Sequence, residues 1–116
     1  MSNINDTKSI KTPITLRDGV ERELLYTLNA LAEMEDRYGS VEKTFEELDK
    51  NSIKAIRFVI WAGLLHNEAE ALTEQQVGNL IDVQCLNDIV GTVAGALNAN
   101  LPEEDNSGNV VALPNA

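Results

Sequence analysis

Only two side chains in the sequence have the chemistry of a catalytic base or a thiol nucleophile. His66 is the single histidine and Cys85 the single cysteine, and they could act together only if the fold brought them into contact. A histidine at the end of a predicted helix is typical of a surface or capping residue, and the apolar neighbours of Cys85 predict a small buried side chain. This pair cannot form a zinc cluster, and Cys85 has no disulfide partner in the chain.

The acidic residues do not form catalytic pairs either. Those within Glu33–Asp36 and Glu46–Asp49 fall in predicted helices, where neighbouring side chains point in different directions, so they indicate solvated helix faces. The sequence contains no phosphate-binding loop, nucleophile elbow or calcium-loop spacing. We therefore expect a protein that is not an enzyme and that needs no cofactor or metal.

The charge balance restricts the partners of the chain. Its 116 residues have a net charge of −10, and after residue 50 only Lys54 and Arg57 are basic, against 8 acidic residues. Nucleic acids and membrane surfaces bind proteins largely through Lys and Arg, so the sequence argues against both, and a basic protein partner suits it better. The polar N-terminus is not a secretory signal, and the apolar stretch AIRFVIWAGLL is far shorter than a membrane span. These features, with the lone cysteine, predict a soluble cytoplasmic protein.

The elements that would position any site follow from the hydrophobic pattern. We predict a mainly α protein of the α+β class, with a flexible arm at 1–12, a single domain at 13–101 and a disordered acidic tail at 102–116. The domain begins with a β-hairpin at 13–26. Its loop is Arg17-Asp18-Gly19, with Gly19 at positive φ. This register places Ile14 opposite Arg22 and puts four apolar residues on one face: Ile14, Leu16, Val20 and Leu24.

Four to five short helices follow the hairpin, at about 28–38, 41–49, 52–67, 73–83 and 86–101. Their predicted N-caps are Thr27 or Asn29, Ser40, Asn51 or Ser52, and Thr73, which forms a capping box with Gln76. The third helix is apolar around most of its circumference, which predicts a central position. Its Trp61 could be a core residue or an exposed interface anchor.

The order of these elements resembles the tail assembly chaperones of long-tailed bacteriophages and prophages, especially the branch shared with gene transfer agents. The resemblance covers roughly residues 13–83 and rests on LNALAEMEDRYGS, VEKTFEEL, WAGLLHNE and LTEQQVGNLID. The positions that match the family pattern are Gly19, Leu28, Ala30, Leu31, Glu35, Gly39, Trp61, Gly63, Leu64 and Leu65.

The resemblance implies a protein that works in the bacterial host cytoplasm and is absent from the mature virion. Such proteins bind the long tape measure protein and keep it soluble while tail tube subunits polymerise around it. In many of these phages a translational slip adds a second domain that recruits tube subunits, so these subunits are a further implied partner. The resemblance supplies no catalytic residues.

Two regions are candidates for the partner interface. One is the face of the third helix, and the other is the acidic tail, which also has an apolar segment at 110–113 and could equally be a plain linker. The candidate residues are Trp61, Leu64, Leu65, Glu103, Glu104 and Asp105. Three alternatives stay open: a structural tail or head-tail connector subunit, an acidic regulatory or antitoxin-like module, and a homo-oligomer that buries the surplus apolar faces.

Overall fold

The computed structural model of the protein describes residues 10–102, and its architecture is the predicted α+β class. The candidate residues Glu103, Glu104 and Asp105, the rest of the predicted tail and most of the predicted arm lie outside this range. The elements are β1 (Thr12–Thr15), β2 (Glu21–Leu24), α1 (Leu28–Tyr38), α2 (Val41–Asp49), α3 (Ile53–Leu64), α4 (Glu74–Asn79), a short 3-10 helix (Val83–Cys85) and α5 (Leu86–Asn100).

The hairpin has the register that its loop predicts. β1 and β2 pair antiparallel, with Ile14 opposite Arg22, and Gly19 has a φ of 80°. The prediction for Val20 is wrong, because this side chain is exposed instead of joining the buried apolar face. Val20 still belongs to the turn, where the Asp18 carboxylate accepts its N–H at 3.1 Å.

Helix α3 is central, as its apolar circumference predicts. It packs against β2 and against all four other helices, and eight of its residues are buried. The Phe58 ring lies between two aromatic neighbours, with centroid distances of 5.7 Å to Tyr38 and 5.8 Å to Trp61. These contacts connect the middle of α3 to α1 and to the surface that carries Trp61.

The contact between α3 and β2 depends on a glycine. The Gly63 carbonyl accepts the Leu25 N–H at 2.9 Å, and the buried Tyr26 hydroxyl donates to the Val59 carbonyl at 2.8 Å. Burial raises the pKa of the Tyr26 hydroxyl well above its ordinary value. A Cβ on Gly63 would lie 2.8 Å from both the Leu24 and Tyr26 side chains, so the helix and strand approach closely only because residue 63 has no side chain.

Local capping signals set the helix starts correctly. Thr27, Ser40, Ser52 and Thr73 each accept a backbone N–H from the first turn of their helix, and Thr73 and Gln76 form the predicted capping box. Asn29 and Asn51, the alternative caps, do not fill this role. Gly39 ends α1 with a φ of 95°, as its position predicts.

Two helix ends and a second burial prediction are wrong. α3 ends at Leu64 instead of residue 67, and α4 ends at Asn79 instead of residue 83. The chain leaves α4 because the Leu80 carbonyl accepts the Arg17 N–H of the hairpin loop at 2.7 Å. Cys85 is exposed and not buried, since it belongs to a 3-10 helix in which no residue is buried.

Asn100, the last residue of α5, joins distant parts of the chain. Its Oδ1 accepts the Tyr26 N–H at 2.8 Å, and its Nδ2 donates to the Ile10 carbonyl at 2.9 Å. We expect Asn100→Ala to lower the free energy of unfolding by about 1 kcal/mol, because the part-buried bond to Tyr26 is lost and water replaces only the exposed bond to Ile10. Urea denaturation checks this value. Asn98→Ala, at an exposed position of the same helix end, is the control and should change stability little; equal losses in both variants would contradict the role of Asn100.

Candidate partner-binding site

The structure brings three predicted interface residues to one cavity at the end of α3. Trp61, Leu64 and Leu65 line a cavity of about 190 Å³. Leu64 is only 7% exposed and belongs to the hydrophobic core, whereas Trp61 and Leu65 are half-buried. The remaining lining comes from the loop that follows α3: Glu68, Ala71 and Leu72.

Trp61 combines the two roles that the sequence left open. One face of its indole packs on the buried Phe58 ring at an interplanar angle of 34°, as a core residue would. Its Nε1 donates to the Leu72 carbonyl at 3.0 Å, which fixes the far wall of the cavity. The indole is therefore held rigidly while part of it stays accessible, which is the arrangement of an aromatic anchor at an interface.

The loop at 65–72 is held by a network of charges that sequence reasoning missed. Arg22 of β2 is 8% exposed and donates to both carboxylate oxygens of Glu70, at 2.7 to 3.1 Å. It also donates to Asp18 at 2.9 and 3.0 Å. The predicted hairpin register already indicates such a network. It places the charged Arg22 opposite Ile14 on the buried face, where a guanidinium requires a carboxylate partner. Glu70 lies 48 residues away from it, so the partner itself could not be named.

The network shifts the pKa of each member in the direction that favours its charged form. The hydrogen bonds from Arg22 lower the pKa of Asp18 to about 2 and hold the pKa of Glu70 below its ordinary value. Hydrogen bonds to Glu70 and Asp18 raise the pKa of Arg22. All three groups are thus ionised at neutral pH, and the loop is tied to the hairpin by charge-assisted bonds.

A second ion pair ties α1 to α4 beside the same aromatic cluster. The Arg37 guanidinium pairs with Glu74 and lies 4.2 Å from the centroid of the Phe58 ring. Its pKa is raised by the hydrogen bonds to Glu74. A cation over an aromatic face adds modest stability. Arg37 therefore helps to hold the Phe58 ring in place, and Trp61 packs against that ring.

The two side chains with catalytic potential occupy ordinary structural positions. The His66 Nε2 donates to the Glu23 carbonyl at 2.7 Å, while Cys85 is exposed in the 3-10 helix. Within residues 10–102 no group of three His, Cys, Asp or Glu side chains could hold a metal ion. Over the same range, every helix is too short or too polar to cross a membrane.

Comparison with protein-family models, with curated proteins and with solved structures gives no match for this chain.

Proposed function

We propose that this protein is a phage tail assembly chaperone that binds the tape measure protein and keeps it soluble while tail tube subunits polymerise. The observation that carries the proposal is the cavity at the end of α3, whose lining includes the half-buried Trp61 and Leu65. Two motifs that resemble the family, WAGLLHNE and LTEQQVGNLID, contribute lining residues of this cavity from the end of α3 and from the loop that follows it.

The cavity suits an apolar side chain projecting from a helix. Its walls are apolar apart from Glu68, and the Trp61 hydrogen bond and the Arg22–Glu70 pair hold them before any partner arrives. A helix that lays its apolar stripe on a groove inserts such side chains at helical spacing. A preformed site loses little conformational entropy on binding, so even a small cavity contributes to affinity.

The net charge of −10 fits the same role. A chaperone that covers the apolar stripes of a long helical protein must keep the resulting complex in solution, and like charges on many bound copies repel one another. The apolar contact supplies the affinity in this scheme and the acidic surface supplies the solubility. The affinity should consequently survive moderate salt.

Coexpression with the tape measure gene of the same locus tests the proposal. The tape measure protein should stay in the supernatant and copurify with the chain at both low and moderate salt. Aggregation of the tape measure protein despite coexpression would contradict the proposal. Recovery of the chain from purified virions would favour the structural subunit, and binding to a basic partner that is lost at moderate salt would favour the regulatory module.

A charge placed at the mouth of the cavity should abolish partner binding without unfolding the protein. We expect Leu65→Asp to weaken binding of a tryptophan-free tape measure fragment at least about tenfold, because an apolar contact of roughly 1.4 kcal/mol or more is lost. Trp61 is the single tryptophan, so a shift in its fluorescence on binding measures affinity at the cavity itself.

Leu28→Asp is the matched control for this experiment. Leu28 is a leucine of α1 that is 82% exposed and lies outside the cavity lining, so the same substitution there should leave the affinity unchanged. If Leu28→Asp weakens binding and Leu65→Asp does not, the interface lies on α1 and the assignment to the cavity is wrong.

A further inference from the structure

On the side that faces away from β1, part of the backbone edge of β2 is open. Backbone groups of alternate residues in a strand point to the same side. The Leu25 N–H and the Glu23 carbonyl both point away from β1, because they bond to the Gly63 carbonyl and to His66. The N–H and carbonyl of Glu21 and the N–H of Glu23 share this direction, and among the described residues no bond from another loop or helix reaches them.

The other edge of the hairpin is closed to strand pairing. Pro13 lies opposite Glu23, so its nitrogen occupies the outward position of β1, where it has no hydrogen to donate. Proline at such a position is a common way of preventing further strands from adding to a sheet. The hairpin can therefore accept a third strand beside β2 and not beside β1.

A groove of about 660 Å³ lies against β2 and also reaches Pro13 of β1. Its lining includes side chains from both faces of the strand, with Leu64 and Ala69 as apolar contributions from the opposite wall. Arg22 also reaches the groove, but its charge is matched by Asp18 and Glu70. The charges left without a partner in this lining, within residues 10–102, belong to Glu21 and Glu23, which are both exposed.

We propose that the edge of β2 binds an extended segment of a partner protein in which basic and apolar side chains alternate. Such a segment adds a third strand and hydrogen-bonds to Glu21 and Glu23 through its backbone. Its side chains on the solvent face lie next to the Glu21 and Glu23 carboxylates, where Lys or Arg forms favourable cross-strand pairs. Its alternate side chains point toward Leu64, where apolar residues fit.

This surface is separate from the proposed tape measure site. The two share only Leu64 as a lining residue, and an extended strand is a different ligand from a helix. Failure of the chaperone proposal would accordingly leave this inference intact, and the reverse also holds.

A short synthetic peptide of alternating Lys and Val, capped at both ends, is the probe. Titration into the ¹⁵N-labelled full chain, followed by NMR, should shift the amide signals of Glu21 and Glu23 and slow their hydrogen exchange. The amide of Thr15 lies across the hairpin from Glu21, on the closed edge, and its exchange should stay unchanged. Unchanged exchange at Glu21 and Glu23 under saturating peptide would overturn the proposal.

Reversing the charges of Glu21 and Glu23 is a second test of the proposal. We expect the double variant Glu21→Lys with Glu23→Lys to weaken peptide binding about tenfold, because two attractive cross-strand pairs become repulsive. Glu42→Lys with Glu46→Lys makes the same change of net charge on exposed positions of α2 and should reduce binding much less. Equal losses in the two variants would mean that the peptide responds only to overall charge, and the proposal would fail.

The backbone is tested separately from the charge. Glu21→Ala and Glu21→Pro both remove the carboxylate, and only proline also removes the outward N–H of β2, at a position where an edge strand tolerates proline, as β1 does at Pro13. The proline variant should keep the unfolding midpoint of the alanine variant and bind the peptide much more weakly than the alanine variant does. A scrambled peptide with the lysines grouped together should bind the unaltered protein weakly; equal affinity for both peptides would contradict strand addition.

Discussion

Replacing Gly63 with alanine is expected to lower the free energy of unfolding by about 3 kcal/mol, the upper part of the range for overpacked cores. The new methyl group would lie 2.8 Å from the Leu24 Cδ2 and from the Tyr26 Cζ and Oη. Neither neighbour can move away easily, because Leu24 is fully buried and the Tyr26 hydroxyl is bonded to the Val59 carbonyl. The helix must then separate from β2 and weaken the bond between Leu25 and Gly63.

Urea denaturation monitored by Trp61 fluorescence measures this effect, and Gly91→Ala is the matched control. Gly91 lies in α5, and among residues 10–102 nothing outside the adjacent backbone of its own helix lies within 4 Å of the position that an added methyl group would occupy, so alanine there should stabilise the helix by up to about 1 kcal/mol. Opposite signs for the two variants are the expected result. A Gly63→Ala protein as stable as the unaltered one would show that α3 and β2 do not approach this closely.

Replacing Arg22 with methionine is expected to cost about 2 kcal/mol of unfolding free energy. Methionine keeps much of the side-chain volume but leaves Asp18 and Glu70 without their hydrogen-bond donor. A fully buried broken pair would cost more, yet the side chains of Asp18 and Glu70 are 32% and 29% exposed and regain water. Arg17→Met, at an exposed position of the same hairpin, is the control and should change stability little.

Arg22→Met should also make the free energy of unfolding less dependent on pH in the acidic range. The pKa of Asp18 falls from 3.8 to about 2 in the folded protein, and that of Glu70 is lowered from 4.5. A lowered folded pKa contributes stability that is full above the unfolded pKa and is lost as the pH falls through the folded one. The stability difference between the unaltered protein and Arg22→Met should therefore be constant above about pH 5 and shrink between about pH 4 and pH 2.

Denaturation series at several pH values check this dependence, because all other carboxylates titrate in both proteins and cancel in the difference. A difference that stays constant down to pH 2 would mean that Asp18 and Glu70 do not interact with Arg22. A difference that grows as the pH falls would reverse the sign and contradict the lowered pKa values.

Features governed by neighbouring residues could be predicted from the sequence. The hairpin register follows from Gly19, because a loop ending in a left-handed glycine leaves only one pairing that puts Ile14 and Leu24 on the same face. The starts of α1 to α4 follow from Thr27, Ser40, Ser52 and Thr73, since each cap bonds within its own first turn. The central place of α3 follows from apolar residues around most of its circumference.

Features governed by distant residues could not be predicted. α3 stops at Leu64 because the chain turns there so that His66 reaches Glu23 and Glu70 reaches Arg22. No pattern near residues 65–67 indicates these partners. The predicted helix therefore extends beyond Leu64, where α3 ends. The burial prediction for Cys85 is wrong for a related reason. Its apolar neighbours Val83 and Leu86 favour a buried position, but the 3-10 helix that contains Cys85 has no buried residue, whereas α5 does.

The sequence places three of the residues that line the cavity on one face, while their role at a partner interface stays a prediction. Trp61, Leu64 and Leu65 do line one cavity, because helical spacing places 61, 64 and 65 on adjoining parts of one face. The opposite wall, with Ala71 at the unusual φ of 47°, comes from a loop whose path depends on long-range bonds. The open edge of β2 was not foreseen at all, although Pro13 was a visible sign that one edge of the hairpin is blocked.

The bonds of Asn100 place the two ends of the described domain next to each other. Ile10 and Asn100 are joined at 2.9 Å although 90 positions separate them in the sequence, so the backbone from one to the other forms a nearly closed ring. A protein with this property can be circularly permuted or inserted into a host loop through a short linker. New termini at the turn around Asn51 would spare the Arg22–Glu70 pair, the cavity and the groove. A permuted form of residues 10–102 would then present these binding surfaces with the segments around Ile10 and Asn100 joined through the linker.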